Sequence, residues 1–146
     1  MRWRAGLVAL VLAGCGATFS GAAGVRPGRA ILLDGAQDCR FQNWAPCWTP
    51  ATSDTEPVEA GLYGYLANSR IVGADIAASR LRTTLVQYLG ITREGRRTIL
   101  ANGVCSVEFL DAHRIITVLD GGPCYFQAYW DVEQQAFVAL SVNNSF

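Results

Sequence analysis

The sequence predicts an α+β fold in which one N-terminal helix, possibly with a second, packs on a four- to five-stranded antiparallel sheet braced by disulfides. Three observations lead to this class. Helical periodicity is confined to the first half of the chain, strand-like segments separated by turn residues dominate from Thr83 onward, and five cysteines are present. A helix followed by consecutive strands is typical of a helix lying on one face of a sheet.

The first half contains one short strand and one long helix. Arg29 to Asp34 is apolar and ends at the turn dipeptide Asp34-Gly35, which predicts a strand. Ser53 and Glu56 have the spacing of a capping box, so we expect the helix to begin there. The helix is predicted to end near Asn68, and its apolar face consists of Val58, Leu62, Tyr65 and Leu66.

The segment from Ile71 to Arg82 leaves two alternatives open. Asp75 could cap a short second helix over Ile76 to Leu81, or the next strand could begin early.

The second half predicts five β segments joined by turns. Gly95 lies in the turn Arg93 to Arg96, where a hairpin requires positive φ. In the last predicted strand Val138, Leu140 and Val142 alternate with small or polar residues, which is typical of one buried and one exposed face. The predicted strands are Thr83 to Thr92, Arg97 to Cys105, Arg114 to Asp120, Tyr125 to Val132 and Ala136 to Asn143.

The N-terminus has the layout of an export signal. A basic start, an apolar run over residues 5–12 and small residues follow one another, and the run is too short to span a bilayer. Leu12-Ala13-Gly14-Cys15 resembles the lipobox of bacterial lipoproteins. The resemblance implies removal of residues 1–14 and lipid on Cys15, and, without Asp at position 16, an outer-membrane location facing the periplasm if the organism has two membranes. The alternative is ordinary cleavage after Gly21-Ala22-Ala23.

These features predict three parts: a signal peptide over 1–14, a lipid-anchored flexible tether over 15–29 and a single globular domain over 30–146. If Cys15 carries lipid, the four remaining cysteines can form two disulfides in an oxidising compartment. Four cysteines allow three pairings, of which we favour Cys39–Cys47 and Cys105–Cys124.

The composition excludes several chemistries. The chain has no lysine and one histidine, His113, which argues against Ser-Lys dyads, Schiff bases and histidine-rich zinc sites. From Cys15 onward ten arginines face twelve acidic residues, a charge of about −2 that gives no reason to expect nucleic acid. We therefore predict no catalytic residue, no cofactor and no metal. One enzymatic alternative remains, an envelope hydrolase using Cys105 and His113.

The best candidate for binding is the tryptophan loop, the segment Phe41 to Trp48. Trp44 and Trp48 on a disulfide-closed loop could stack on a sugar or anchor a protein, and the alternative is that both rings cap the core. Similarly, Arg93, Arg96 and Arg97 could touch anionic lipid or form a solvated turn. The sequence thus favours a non-catalytic binding or structural module of the cell envelope, with an envelope protein or glycan as partner. The alternative among binding proteins is an inhibitor of a secreted hydrolase.

The C-terminal half also resembles small, uncharacterised bacterial secreted proteins. The resemblance rests on residues 102–105 and 120–126 together with Asp131, Phe137, Leu140 and Asn143. It implies no activity.

Overall fold

The computed structural model describes residues 25–40, 42–105 and 111–143. Cys15, the predicted signal peptide and most of the predicted tether lie outside these ranges. The strands are β1 (Arg29–Leu32), β2 (Leu85–Arg93), β3 (Arg96–Val104), β4 (Phe126–Asp131) and β5 (Ala136–Val142). The helices are α1 (Gly35–Asp38), α2 (Thr52–Ala67) and α3 (Ala74–Arg80), and short 3₁₀ turns cover Gln42–Trp44 and Leu81–Thr83. None of these helices is long and apolar enough to cross a bilayer.

One five-stranded sheet has the order β1-β2-β3-β4-β5, and it is mixed. β1 runs parallel to β2, whereas the other three pairings are antiparallel. The α+β class is confirmed, but the prediction of a purely antiparallel sheet is wrong. Parallel neighbours need a long crossover, and the segment carrying α2 and α3 between β1 and β2 provides it.

Helix α2 forms where its apolar spacing predicts, with a different cap. The backbone N–H of Ala51 donates to Asp54 Oδ2 at 2.8 Å, so the helix begins at Thr52 and not through a Ser53–Glu56 box. Val58, Leu62 and Leu66 are fully buried. The spacing therefore identified the buried face of the helix, while the cap was assigned two residues too late.

The ambiguous segment forms a second helix, α3. It starts after Gly73, whose φ of 86° places the backbone in the left-handed region that favours glycine. Asp75 lies in the first turn of α3 and does not cap it. Ala74, Ala77 and Ala78 are buried, and their small side chains allow α3 to pack closely against α2.

The two faces of the sheet are covered differently. The helical face packs α2 and α3 against a cluster that includes Val86, Tyr88 and Ile99. The opposite face carries no long helix among the described residues. There, a second cluster contains Leu89, Leu100 and irregular segments that include Trp44, Ile115 and Ile116.

The hairpin turn between β2 and β3 forms where the sequence predicts it, whereas the alternation predicted for β5 is interrupted. Glu94 and Gly95 both have positive φ, 53° and 76°, which is the two-residue hairpin turn that matches strand twist. In β5 the predicted alternation fails at Val138, which is 41% exposed. A bulge shifts the register so that Phe137 pairs with Trp130. Bulges of this kind interrupt an edge strand.

The prediction of a strand over Arg114 to Asp120 is wrong. This segment, together with residues 111–113, lies across the second face of the sheet without ladder pairing. We call residues 111–120 the cover segment. Side-chain amides bind its backbone groups in place of a neighbouring strand, as described below.

Candidate binding site at the end of a row of amides

Three amide side chains lie side by side across the second face of the sheet. Gln87 on β2 pairs with Asn102 on β3, and Asn102 pairs with Gln127 on β4. We call these three residues the amide row. Polar side chains on a covered sheet face are costly unless they are hydrogen-bonded, so the bonds of each one decide its role.

Gln87 is fully buried and all its hydrogen-bonding positions are used. Its Nε2 donates to the carbonyl oxygens of Ala112, at 2.8 Å, and Arg114, at 2.7 Å. Its Oε1 accepts from the backbone N–H of Ile116 and from Asn102 Nδ2, both at 3.0 Å. Gln87 thus provides the partners that a strand would have given to the cover segment.

Asn102 continues the row in a fixed orientation. Its Nδ2 donates to Gln87 Oε1 and, at 2.9 Å, to the carbonyl oxygen of Ile116. Since a backbone carbonyl can only accept, Nδ2 must face the cover segment. The oxygen Oδ1 then accepts from Gln127 Nε2 at 3.4 Å.

Gln127 is the last residue of the amide row. We call it the unsaturated end, because not all of its hydrogen-bonding positions have a partner among the described residues. Its Oε1 accepts from the hydroxyl of Tyr129 at 2.9 Å. Burial raises the pKa of Tyr129, partly opposed by the Arg93 guanidinium, so the hydroxyl remains a donor. Nε2 makes the single long bond to Asn102, and within the described residues its second hydrogen has no partner. Ser141, the cross-strand neighbour of Gln127, is exposed.

A cavity of about 350 Å³ opens beside this unsaturated end. It lies between the cover segment and the ends of β3, β4 and β5. None of the described residues that line it is charged. Polar lining groups are Asn102, Thr117, Gln127, Ser141 and Asn143, and apolar or aromatic ones include Ile116, Val118, Leu119, Tyr125 and Phe126.

Two further interactions hold the wall of the cavity. Asn143 Nδ2 donates to the carbonyl oxygens of Val118, at 3.1 Å, and Leu119, at 2.9 Å. The disulfide Cys105–Cys124 joins the end of β3 to the start of β4, with 5.7 Å between its Cα atoms. The cover segment lies within the loop that this disulfide closes. The cavity wall is therefore held by side-chain amides along its backbone and lies within a disulfide-closed loop.

Both favoured disulfide pairings are present, Cys39–Cys47 and Cys105–Cys124. The bond to Cys124 consumes the thiol that a Cys105–His113 hydrolase would need as a nucleophile. His113 lies exposed in a turn of the cover segment.

The tryptophan loop lies against the sheet. Trp44 is 7% exposed and belongs to the second core cluster. Trp48 pairs with Gly90 through two backbone hydrogen bonds, N–H to O of 2.8 and 3.0 Å, beyond the end of β1. Its ring is half-buried and carries the Arg97 guanidinium 4.1 Å from its centroid. This placement supports the capping interpretation, and binding by these rings stays a prediction.

The hairpin-tip arginines, Arg93, Arg96 and Arg97, are all engaged. Arg96 pairs with the buried Asp131 at 3.2 Å, and Arg93 lies near Glu94 and over the Tyr129 ring. Arg97 covers Trp48, as noted above. These contacts make the tip part of the packing of the domain.

The amide row was not predicted from the sequence, although a signal for it exists. Gln87 and Asn102 interrupt strongly apolar strands and stand equally far from the Glu94-Gly95 turn. A two-residue hairpin therefore places them opposite each other. Which backbone they bind could not be read in this way, because the cover segment is distant in sequence.

Comparison of the chain with protein-family models, with curated proteins and with solved structures found no match.

Proposed function

We propose that this protein is a lipid-anchored module of the cell envelope whose folded domain binds an uncharged, hydroxyl-rich ligand, a glycan segment, without catalysis. The observation that carries the proposal is the cavity at the unsaturated end of the amide row. Its described lining offers neutral donors and acceptors beside apolar surface.

The chemistry of the lining favours this ligand class over an ionic one. A charged ligand would enter a site with no opposite charge among its described lining residues, and the desolvation would be uncompensated. Hydroxyl groups, in contrast, both donate and accept, as amide and Ser/Thr side chains do. The half-buried ring of Tyr125 provides an aromatic surface for the C–H groups of a sugar.

The anchoring part rests on Leu12 to Cys15 and on cysteine usage. Two disulfides are typical of an oxidising compartment, and they occupy every cysteine other than Cys15. We expect protein extracted from membranes to begin at Cys15 and to carry added acyl mass. Intact-mass spectrometry, with and without reduction before alkylation, tests this. A mass that corresponds to an unlipidated chain would refute the anchor.

The bond that occupies Cys105 argues against catalysis by a Cys105–His113 pair, because it removes the nucleophile. The same mass measurement tests it, because we expect four thiols to alkylate only after reduction. Alkylation of Cys105 without reduction would instead restore the cysteine hydrolase as the better hypothesis.

Ligand binding is tested by calorimetric titration with two neutral probes, maltotriose and tri-N-acetylchitotriose. We expect saturable binding of at least one, weakened about tenfold by Gln127→Leu through loss of a hydrogen-bonded contact. Gln134→Leu, the same substitution at an exposed turn residue away from the cavity, is the matched control. If neither sugar binds at about 10 mM, where a ligand worth only about 2.7 kcal/mol would register, the proposed ligand class is wrong.

A further inference from the structure

The point where the chain joins the domain is fixed by backbone bonds. The N–H of Gly28 lies 3.0 Å from the carbonyl oxygen of Leu81 and 3.1 Å from that of Thr84. A side chain at Gly28 would overlap the carbonyl oxygen of Arg82. The N-terminal segment therefore leaves the domain directly against the turn that follows α3.

Three arginines surround this junction. Arg29 is the first residue of β1 and pairs in register with Leu85, Arg80 is the last residue of α3, and Arg82 lies in the following 3₁₀ turn. We call Arg29, Arg80 and Arg82 the junction arginines. All three are exposed, and none forms an ion pair with another described residue.

The hairpin-tip arginines differ in this respect. They lie at the opposite end of β2, and each has an acidic or aromatic partner. Of these two groups of arginines, the group without acidic or aromatic partners among the described residues thus lies at the end of β2 where the chain leaves the domain. A protein with a mature charge of about −2 is repelled by anionic surfaces on average, so local concentration of charge decides whether one face can approach.

The surroundings of the junction arginines favour contact with a lipid surface. Ile76, 37% exposed, precedes Arg80 by four residues and so lies on the same side of α3. The acidic Asp75 lies in the first turn, away from Arg80 at the other end of the helix. Arg26 is partly neutralised by Glu59, 3.5 Å away, and is not counted with the three.

We propose that the junction arginines dock the domain on an anionic phospholipid surface. The location rests on the proposed anchoring. Twelve residues, 16–27, separate Cys15 from Gly28. Even fully extended, they keep the junction within roughly 45 Å of the anchor. Phospholipid is therefore the nearest anionic surface that this face meets.

The test is vesicle flotation of the mature chain, 15–146, with Cys15→Ser so that no acyl group contributes. We expect binding to vesicles of phosphatidylcholine and phosphatidylglycerol mixed about two to one, and none to pure phosphatidylcholine. Each arginine near an anionic surface strengthens partitioning about fivefold, so Arg80→Gln with Arg82→Gln should weaken it about 25-fold. Raising the salt to about 1 M should abolish it, since the screening length falls to about 3 Å.

The matched control is Arg40→Gln with Arg93→Gln, which removes the same charge elsewhere and should change partitioning by less than about twofold. Equal loss in both double variants, or equal binding to neutral vesicles, would overturn the proposal. Protection of the amides of residues 80–84 against hydrogen exchange on anionic vesicles provides a second readout that needs no variant. Because Cys15→Ser removes the acylation site, failure to bind vesicles refutes docking alone, whereas an unlipidated native mass refutes anchoring alone.

Discussion

Replacing Gln87 with leucine should destabilise the domain severely, although leucine is similar in size and apolar. The side chain is fully buried and makes four hydrogen bonds, three of them to backbone groups of the cover segment. Each such bond contributes about 1 kcal/mol, and each buried group left without a partner costs about 1–3 kcal/mol. We therefore expect a loss of about 4 kcal/mol, a large part of the 5–15 kcal/mol, roughly, that a domain of this size has.

The assay is urea unfolding followed by circular dichroism, with both disulfides intact. Gln134→Leu is the control and should change the free energy of unfolding by less than about 0.5 kcal/mol, since its exposed side chain bonds to no described residue. Hydrogen exchange adds a local readout, because the Ile116 amide loses its acceptor in Gln87→Leu. Stability within about 0.5 kcal/mol of wild type, or an Ile116 amide still protected, would refute the reasoning.

Three other substitutions test packing and pH dependence. Gly90→Ala should cost about 1–3 kcal/mol in thermal or urea unfolding, because a Cβ there would overlap the Trp48 ring. Gly64→Ala should instead stabilise by up to about 1 kcal/mol, since its helix position has open space; a loss would contradict this. Bonds from the Gln134 N–H and other donors lower the pKa of Asp131 below its ordinary 3.8, so the stability it contributes is present above that pH and lost as pH falls further. In Asp131→Asn, the free energy of unfolding should therefore fall less steeply between about pH 5 and pH 2 than in wild type. An unchanged pH dependence would exclude Asp131 as its source.

Local signals predicted the elements whose causes are local. The apolar spacing of Val58, Leu62 and Leu66 located α2, and Gly95 located the hairpin turn. The parallel placement of β1 could not be predicted in this way. An apolar strand such as Arg29–Leu32 fits either direction, and its direction depends on how the crossover returns the chain to β2.

The cover segment shows a second limit of sequence patterns. Ile115 and Ile116 are both buried, as an apolar run predicts, and periodicity alone does not say whether such a run joins a ladder. What decides is where its backbone finds partners. Here they are Gln87, Asn102 and Asp38, whose Oδ1 accepts from the Ile115 N–H at 2.9 Å. Asp38 and Gln87 lie 77 and 29 residues away in sequence from the groups they bind. Asn102 lies outside the loop that the Cys105–Cys124 disulfide closes.

The amide row stabilises the domain at one end and offers groups for the proposed ligand at the other. At one end Gln87 is saturated, so its loss should unfold the cover segment. At the other end Gln127, with Ser141 opposite it on β5, keeps donors and acceptors beside the cavity that no described residue uses. Groups that fold the wall cannot also serve a ligand without breaking their bonds. From Gln87 to Gln127, substitutions should therefore change from destabilising the domain to reducing its affinity for a ligand. Uniform destabilisation along the row would indicate a purely structural network.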